Sequence, residues 1–212
     1  MSTQAENQAA VAEKESSGWV IFVFFIIGFI ASVISGWIFF PDLLYSQKDQ
    51  PIDFNHKLHM EQAYDGCNTC HYFRDDGSFA GVPTNAECEG CHMYPMSDDP
   101  DEIKFTNEYV QKGKEVPWLI YSKQPPCVFF SHAAHVKGAD MQCETCHGDI
   151  GSSTSLRKYE ENRLTGYSRD IWGYSMLRVG EARHGRRHKM NDCAECHLKQ
   201  TGAKGNCFQC HK

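Results

Sequence analysis

Polar and apolar positions are unevenly distributed along this chain. Residues Trp19 to Phe40, WVIFVFFIIGFIASVISGWIFF, run for 22 positions without a charge, and no stretch of like length recurs beyond Pro41. About 20 apolar residues in a helix cross the hydrocarbon core of a bilayer. The run is apolar on every face, and no second helix of matching character exists to cover it as a buried core helix. A secretory signal has an apolar region of only about 7–15 residues followed by small residues. Here Trp37, Phe39 and Phe40 crowd the exit instead, so a retained anchor over 19–40 is expected, with Trp19 and Trp37 at the two interfaces. Lys14 between two glutamates, against Lys48 and Lys57 on the far side, gives no clear orientation.

Past the anchor, periodicity is weak. No alternating pattern longer than a few residues argues for a strand. Two segments read as helices: Asp101–Gly113, with acids in its first turn and glycine at its end, and Leu156–Leu164. The remainder reads as short helices and long irregular loops.

Cysteine supplies what periodicity does not. Ten of the eleven cysteines fall in five Cys-x-x-Cys-His motifs: Cys67-Cys70-His71, Cys88-Cys91-His92, Cys143-Cys146-His147, Cys193-Cys196-His197 and Cys207-Cys210-His211. This is the attachment signature of c-type haem, in which two thiols hold the porphyrin and the adjacent imidazole reaches the iron. Zinc ribbons use Cys-x-x-Cys in pairs and need no histidine after each, and five pairs do not divide into two-pair sites. A thioredoxin-like dithiol is single and rides on a βαβ pattern that is missing here, and a disulfide scaffold leaves the histidines unexplained. Covalent haem attachment in bacteria takes place outside the cytoplasmic membrane. Residues 1–18 are therefore expected in the cytoplasm and the haem domain in the periplasm, on a single-pass inner-membrane protein.

Six histidines lie outside the motifs: His56, His59, His132, His135, His184 and His188. A lone histidine is usually an ordinary surface or hydrogen-bonded residue, but these come in three close pairs, whose spacing puts both rings on one side of a helical turn. Phe54–His71 (FNHKLHMEQAYDGCNTCH) and Phe130–His147 (FSHAAHVKGADMQCETCH) repeat Phe, both histidines and the motif at identical offsets. The first histidine of such a unit can serve the haem just downstream while the second reaches a neighbour. His184 and His188, in RHGRRHKMNDC, lack the phenylalanine and are the weaker candidates. Bis-histidine iron has no open position, which favours electron transfer over chemistry on a small molecule. Met93, Met96, Met141, Met176 and Met190 are alternative ligands for one iron, although most methionines simply pack. Cys127, in KQPPCVFF, belongs to no motif; it is either a free thiol or the single-thioether anchor of a sixth haem.

Haem positions divide the outer part into a two-haem module at 51–92, a connector at 93–129 and a three-haem module at 130–212. With so little apolar side chain available, the porphyrins are expected to form the core. Net charge is −6, of which residues 1–40 carry −2, so the outer part is mildly acidic and suits a basic electron carrier. Apart from RHGRRHK there is no basic run, so no nucleic-acid partner is expected.

The F-x-H-x-x-H ahead of a haem motif resembles small tetrahaem and trihaem cytochromes c of sulfate- and metal-reducing bacteria, implying a class III-like, haem-cored domain with little β-structure. Beyond the motifs, DGSFAGVPTNAEC (76–88), KEVPWLIYSKQP (114–125) and ENRLTGYS (161–168) resemble the multihaem cytochrome c subunit of the Qrc menaquinone reductase complex. That resemblance implies a non-catalytic subunit taking electrons from a soluble periplasmic tetrahaem cytochrome c. It would pass them to iron–sulfur and integral-membrane quinone-binding subunits, in a protein with six haems where five motifs stand here. Two other functions fit the same motifs: the pentahaem subunit of a quinol-oxidising, alternative complex III-like assembly, and the anchor of a multihaem reductase.

Overall fold

The computed structural model describes residues 2–170 and 188–211. The chain forms two compact units, one running to Leu44 and one beginning at Tyr45. Among the described residues the first is a single helix, α1 (Ser2–Leu43), which includes the apolar run; the 23 residues Gly18–Phe40 are long and apolar enough to cross a membrane.

The second unit holds the motifs on short elements: β1 (Tyr45–Lys48), α2 (His56–Met60), α3 (Asn85–His92), α4 (Pro100–Lys104), α5 (Glu144–His147), β2 (Tyr159–Asn162), α6 (Met190–Thr201) and α7 (Cys207–Cys210). β1 and β2 form a two-stranded antiparallel sheet, with Tyr45 opposite Asn162 and Lys48 opposite Tyr159. Fold class thus agrees with the sequence reading: an N-terminal apolar helix and short helices with little β.

Two local expectations need correction. Leu156–Leu164 is not helical, because Tyr159–Asn162 is recruited as a strand by β1, far earlier in the chain. Pairing and burial at that site outweigh a propensity worth only a few tenths of a kcal/mol per residue. The helix expected from Asp101 begins one residue earlier, where Asp99 caps the Asp101 and Glu102 amides and Pro100 occupies the first turn. It then widens into a π-turn at Phe105–Val110. Fully buried Thr106 returns its hydroxyl to the Glu102 and Ile103 carbonyls (3.2 and 3.1 Å), a back-bond that disturbs the regular ladder.

Protein atoms alone bury few apolar side chains. Among the described residues these are Ile52, Val110, Val116 and Tyr159, against eight buried polar or charged ones. Around β2 the buried polar groups form an ionic cluster. The Arg157 guanidinium grips the Asp170 carboxylate with both nitrogens, Arg169 lies 3.6 Å from Glu160, and the Lys189 ammonium donates to the Arg169 carbonyl. Segments 51–92 and 130–212 are directly joined: Lys57 N–H donates to the Ser153 carbonyl (2.9 Å) and Leu156 N–H to Asp53 (2.6 Å). The connector is tied on as well, with the Gln50 amide exchanging two bonds with Leu119 (2.9 and 3.0 Å).

Candidate haem-binding centre

Each motif folds as one helical turn. Motif histidine N–H groups donate to the first cysteine's carbonyl in His71→Cys67 (2.9 Å), His147→Cys143 (3.0 Å) and His211→Cys207 (2.9 Å), and the second and fourth motifs lie within α3 and α6. Spacings of three and four residues on such a turn bring both thiols and the imidazole to one side. α3 is held by buried Asn85, whose backbone N–H donates to Glu115 (2.9 Å) and whose amide donates to the Lys114 carbonyl (2.8 Å). α6 ends at Gly202, whose left-handed backbone (φ 76°) closes the last turn onto Leu198.

The two repeated units have the same geometry. Phe54 meets His56 edge-on (4.8 Å, 80°) and stacks on His59 (4.2 Å, 25°). Phe130 meets His132 edge-on (4.9 Å, 88°) and stacks on His135 (4.7 Å, 19°). In both, the second histidine's Nδ1 lies 2.8 Å from the carbonyl four residues back, Asn55 for His59 and Ser131 for His135. A carbonyl only accepts, so Nδ1 carries the proton and Nε2 keeps its lone pair. His71 is fixed likewise by the Gly81 carbonyl (2.6 Å), and His92 by the Glu102 carboxylate (2.9 Å).

Three ring pairs then join a motif histidine to one outside the motifs: His59 to His92 (centroids 6.0 Å apart), His132 to His147 (6.4 Å) and His135 to His197 (6.1 Å). His56 lies beside His71, and burial first and that neighbour second hold its imidazole below the usual range. With a metal–nitrogen bond of about 2.0–2.1 Å on each side, two imidazoles facing across one metal have centroids roughly 6 Å apart. The three pairs fit one haem iron each, and the free Nε2 lone pairs fit the ligand role. Among the described residues no group of three or more His, Cys, Asp or Glu gathers as a zinc cage would.

Cysteine neighbours give the order of the motifs. Cys67 touches Cys143, Cys70 lies near Cys88, Cys146 near Cys196, and Cys193 near both Cys146 and Cys210. The row therefore reads second, first, third, fourth, fifth. Burial, then the charges of Cys70 and nearby glutamates, pushes the Cys88 thiol up to about 11. Cys127 is exposed, but its successors are fixed to the fifth motif: Val128 bridges His211 and Phe129 N–H donates to the Cys210 carbonyl (2.7 Å).

His188 is described and exposed, near enough to His147 to help depress it after burial and His71. His184 and Met176 lie outside the described residues. Met93, Met96 and Met190 are exposed, and Met141 donates its N–H to the His135 carbonyl (3.1 Å). Sequence reasoning missed Glu102, whose only signal was its place in an acidic first turn.

Comparison with known proteins agrees with this chemistry. The family described as cytochrome c7 and related cytochrome c matches residues 128–212. A curated relative, the menaquinone reductase multihaem cytochrome c subunit of Nitratidesulfovibrio vulgaris (strain Hildenborough), is 41% identical over 202 residues, covering 89% of each chain. Identity of that extent places this chain in the family of the menaquinone reductase multihaem cytochrome c subunit.

Proposed function

We propose that this protein is a membrane-anchored electron-transfer subunit, not itself an enzyme. It receives electrons from a soluble periplasmic tetrahaem cytochrome c and passes them to iron–sulfur and integral-membrane quinone-binding partners that reduce menaquinone. The observation that carries the reading is the set of three histidine pairs at 6.0–6.4 Å, each combining a motif and a non-motif ring. Haem, when bound, supplies a one-electron change at iron. The chain would supply the rest: the motif cysteines would hold each group covalently, and the paired imidazoles would ligate its metal and leave no place for substrate or water.

In this reading His56 serves with His71, His59 with His92, His132 with His147 and His135 with His197, while His211 draws its partner from His184 and His188. The five motifs adjoin in one row, as a conduit requires. The family resemblance implies a sixth haem, for which Cys127, beside the fifth motif, is the remaining thiol. The uninterrupted helix Ser2–Leu43 supports a retained anchor. The orientation, N-terminus cytoplasmic and haem domain periplasmic, rests on covalent haem attachment taking place outside the cytoplasmic membrane.

Purification from membranes tests the assignment. Iron–sulfur and integral-membrane partners are expected to copurify, all irons to be low-spin, and a basic tetrahaem cytochrome to reduce the complex. Isolation as a lone polypeptide, or haems titrating mostly above the menaquinone couple, defeats it.

A further inference from the structure

His92 differs from His56, His59, His71 and His135 in what holds its second nitrogen. Nδ1 of His59, His71 and His135 faces a backbone carbonyl (2.8, 2.6 and 2.8 Å), and Nδ1 of His56 faces the Ser153 hydroxyl at 3.3 Å. Among pairs between described residues, His92 alone meets a carboxylate, Glu102 Oε1 at 2.9 Å. The Glu102 side chain is only 14% exposed, so water screens it poorly. Its position is determined by α4, which starts at the Asp99 cap, and by two further donors: the Met96 N–H reaches Oε1 (2.8 Å) and the Ser97 hydroxyl reaches Oε2.

A carboxylate behind a metal-bound imidazole does two things that a carbonyl does less. It draws the Nδ1 proton toward itself, making Nε2 a stronger electron donor, and it sets a negative charge near the metal. Both favour the oxidised, more positive iron, and hydrogen bonding and burial around the ligands are established controls of haem potential. We propose that Glu102 is a positioning and tuning residue for the second motif, fixing the His92 ring and lowering the reduction potential of the haem held by Cys88 and Cys91. The inference rests on the haem-binding reading above. It assigns the lowered potential to one end of the motif row, the end opposite Cys127.

The test uses the full-length protein purified with its haems, titrated potentiometrically and followed by electron paramagnetic resonance. Peptide mass at Cys88–Cys91 in the unaltered protein first establishes attachment; an unmodified peptide there defeats the haem-binding reading itself. Given attachment, Glu102→Gln keeps size and hydrogen bonding but removes the charge, and is expected to raise the potential of one haem and move the resonance of that iron alone. Ser97→Ala keeps the Glu102 charge and the Met96 and His92 contacts to Oε1, and removes a donor to Oε2 that shares the carboxylate's charge, so the same haem is expected to shift downward. Opposite shifts support tuning. Shifts of the same sign, or no shift in either variant at unchanged haem content, overturn it. If Glu102→Gln loses the haem, the Ser97→Ala arm decides alone: a downward shift supports the proposal, and an upward or absent shift overturns it.

Discussion

Replacing His59 with alanine distinguishes a ligand from a packing residue. The side chain stacks on Phe54 at 4.2 Å, an arrangement worth about 0.5–1.5 kcal/mol. Its Nδ1–H bond to the Asn55 carbonyl at 2.8 Å adds a net of about 0.5–1.5 kcal/mol. Packing alone therefore accounts for about 1–3 kcal/mol, well inside a typical folding stability of about 5–15 kcal/mol, and the variant should still fold. If His59 shares an iron with His92, its loss opens one axial position. One high-spin iron should appear, and carbon monoxide should bind with a stoichiometry of one per chain. Which iron opens is settled by adding His59→Ala to a chain already carrying Cys88→Ala and Cys91→Ala, which lacks the second attachment site. There the histidine change should create no additional carbon monoxide site. A new site in that background, or none in the single variant, would refute the pairing read from the 6.0 Å ring separation.

Other outcomes follow from the same geometry. Glu160→Gln takes the carboxylate at 3.6 Å from Arg169, whose side chain is 11% exposed; removing one partner of a buried ion pair costs about 3–5 kcal/mol, seen as a lowered denaturation midpoint with haem content unchanged. The Thr84 hydroxyl holds the Glu87 carboxyl below its usual value against the opposing effect of burial, with weaker help from the Tyr72 hydroxyl. A depressed carboxylate contributes its stability fully above the unfolded value of about 4.3 and loses it as pH falls through the lower folded value. The melting-temperature gap between wild type and Glu87→Gln should accordingly narrow on acidification below about pH 4, and a gap that widens there would be contrary. Cys127→Ala should reduce the haem count by one in intact mass and pyridine haemochrome assays while leaving the five motif-bound groups; an unchanged count assigns Cys127 a free thiol.

Legibility from sequence followed the range of the interactions. The turns that gather Cys67, Cys70 and His71 are closed by hydrogen bonds between near neighbours, so spacing alone exposes them. Phe54 and Phe130 act on histidines two and five residues ahead, and the equal offsets of the two units correspond to equal ring geometry. The local pattern of Leu156–Leu164 favours a helix, but its conformation is set by β1, more than a hundred residues earlier. Glu102 was passed over because an acid in a helix's first turn is ordinary until a distant ring is found against it.

The sequence by itself determined the apolar N-terminal helix, the five Cys-x-x-Cys-His turns and the two Phe-His-His units, because in each the groups that must meet are joined by a few residues of backbone whose period places them. Only the tertiary structure decided which ring faces which, in what order the motifs adjoin, and that a carboxylate stands behind His92. Those contacts join segments with no shared period and little apolar pattern, and they arise from how loops pack into one unit whose buried side chains, among the described residues, are mostly polar.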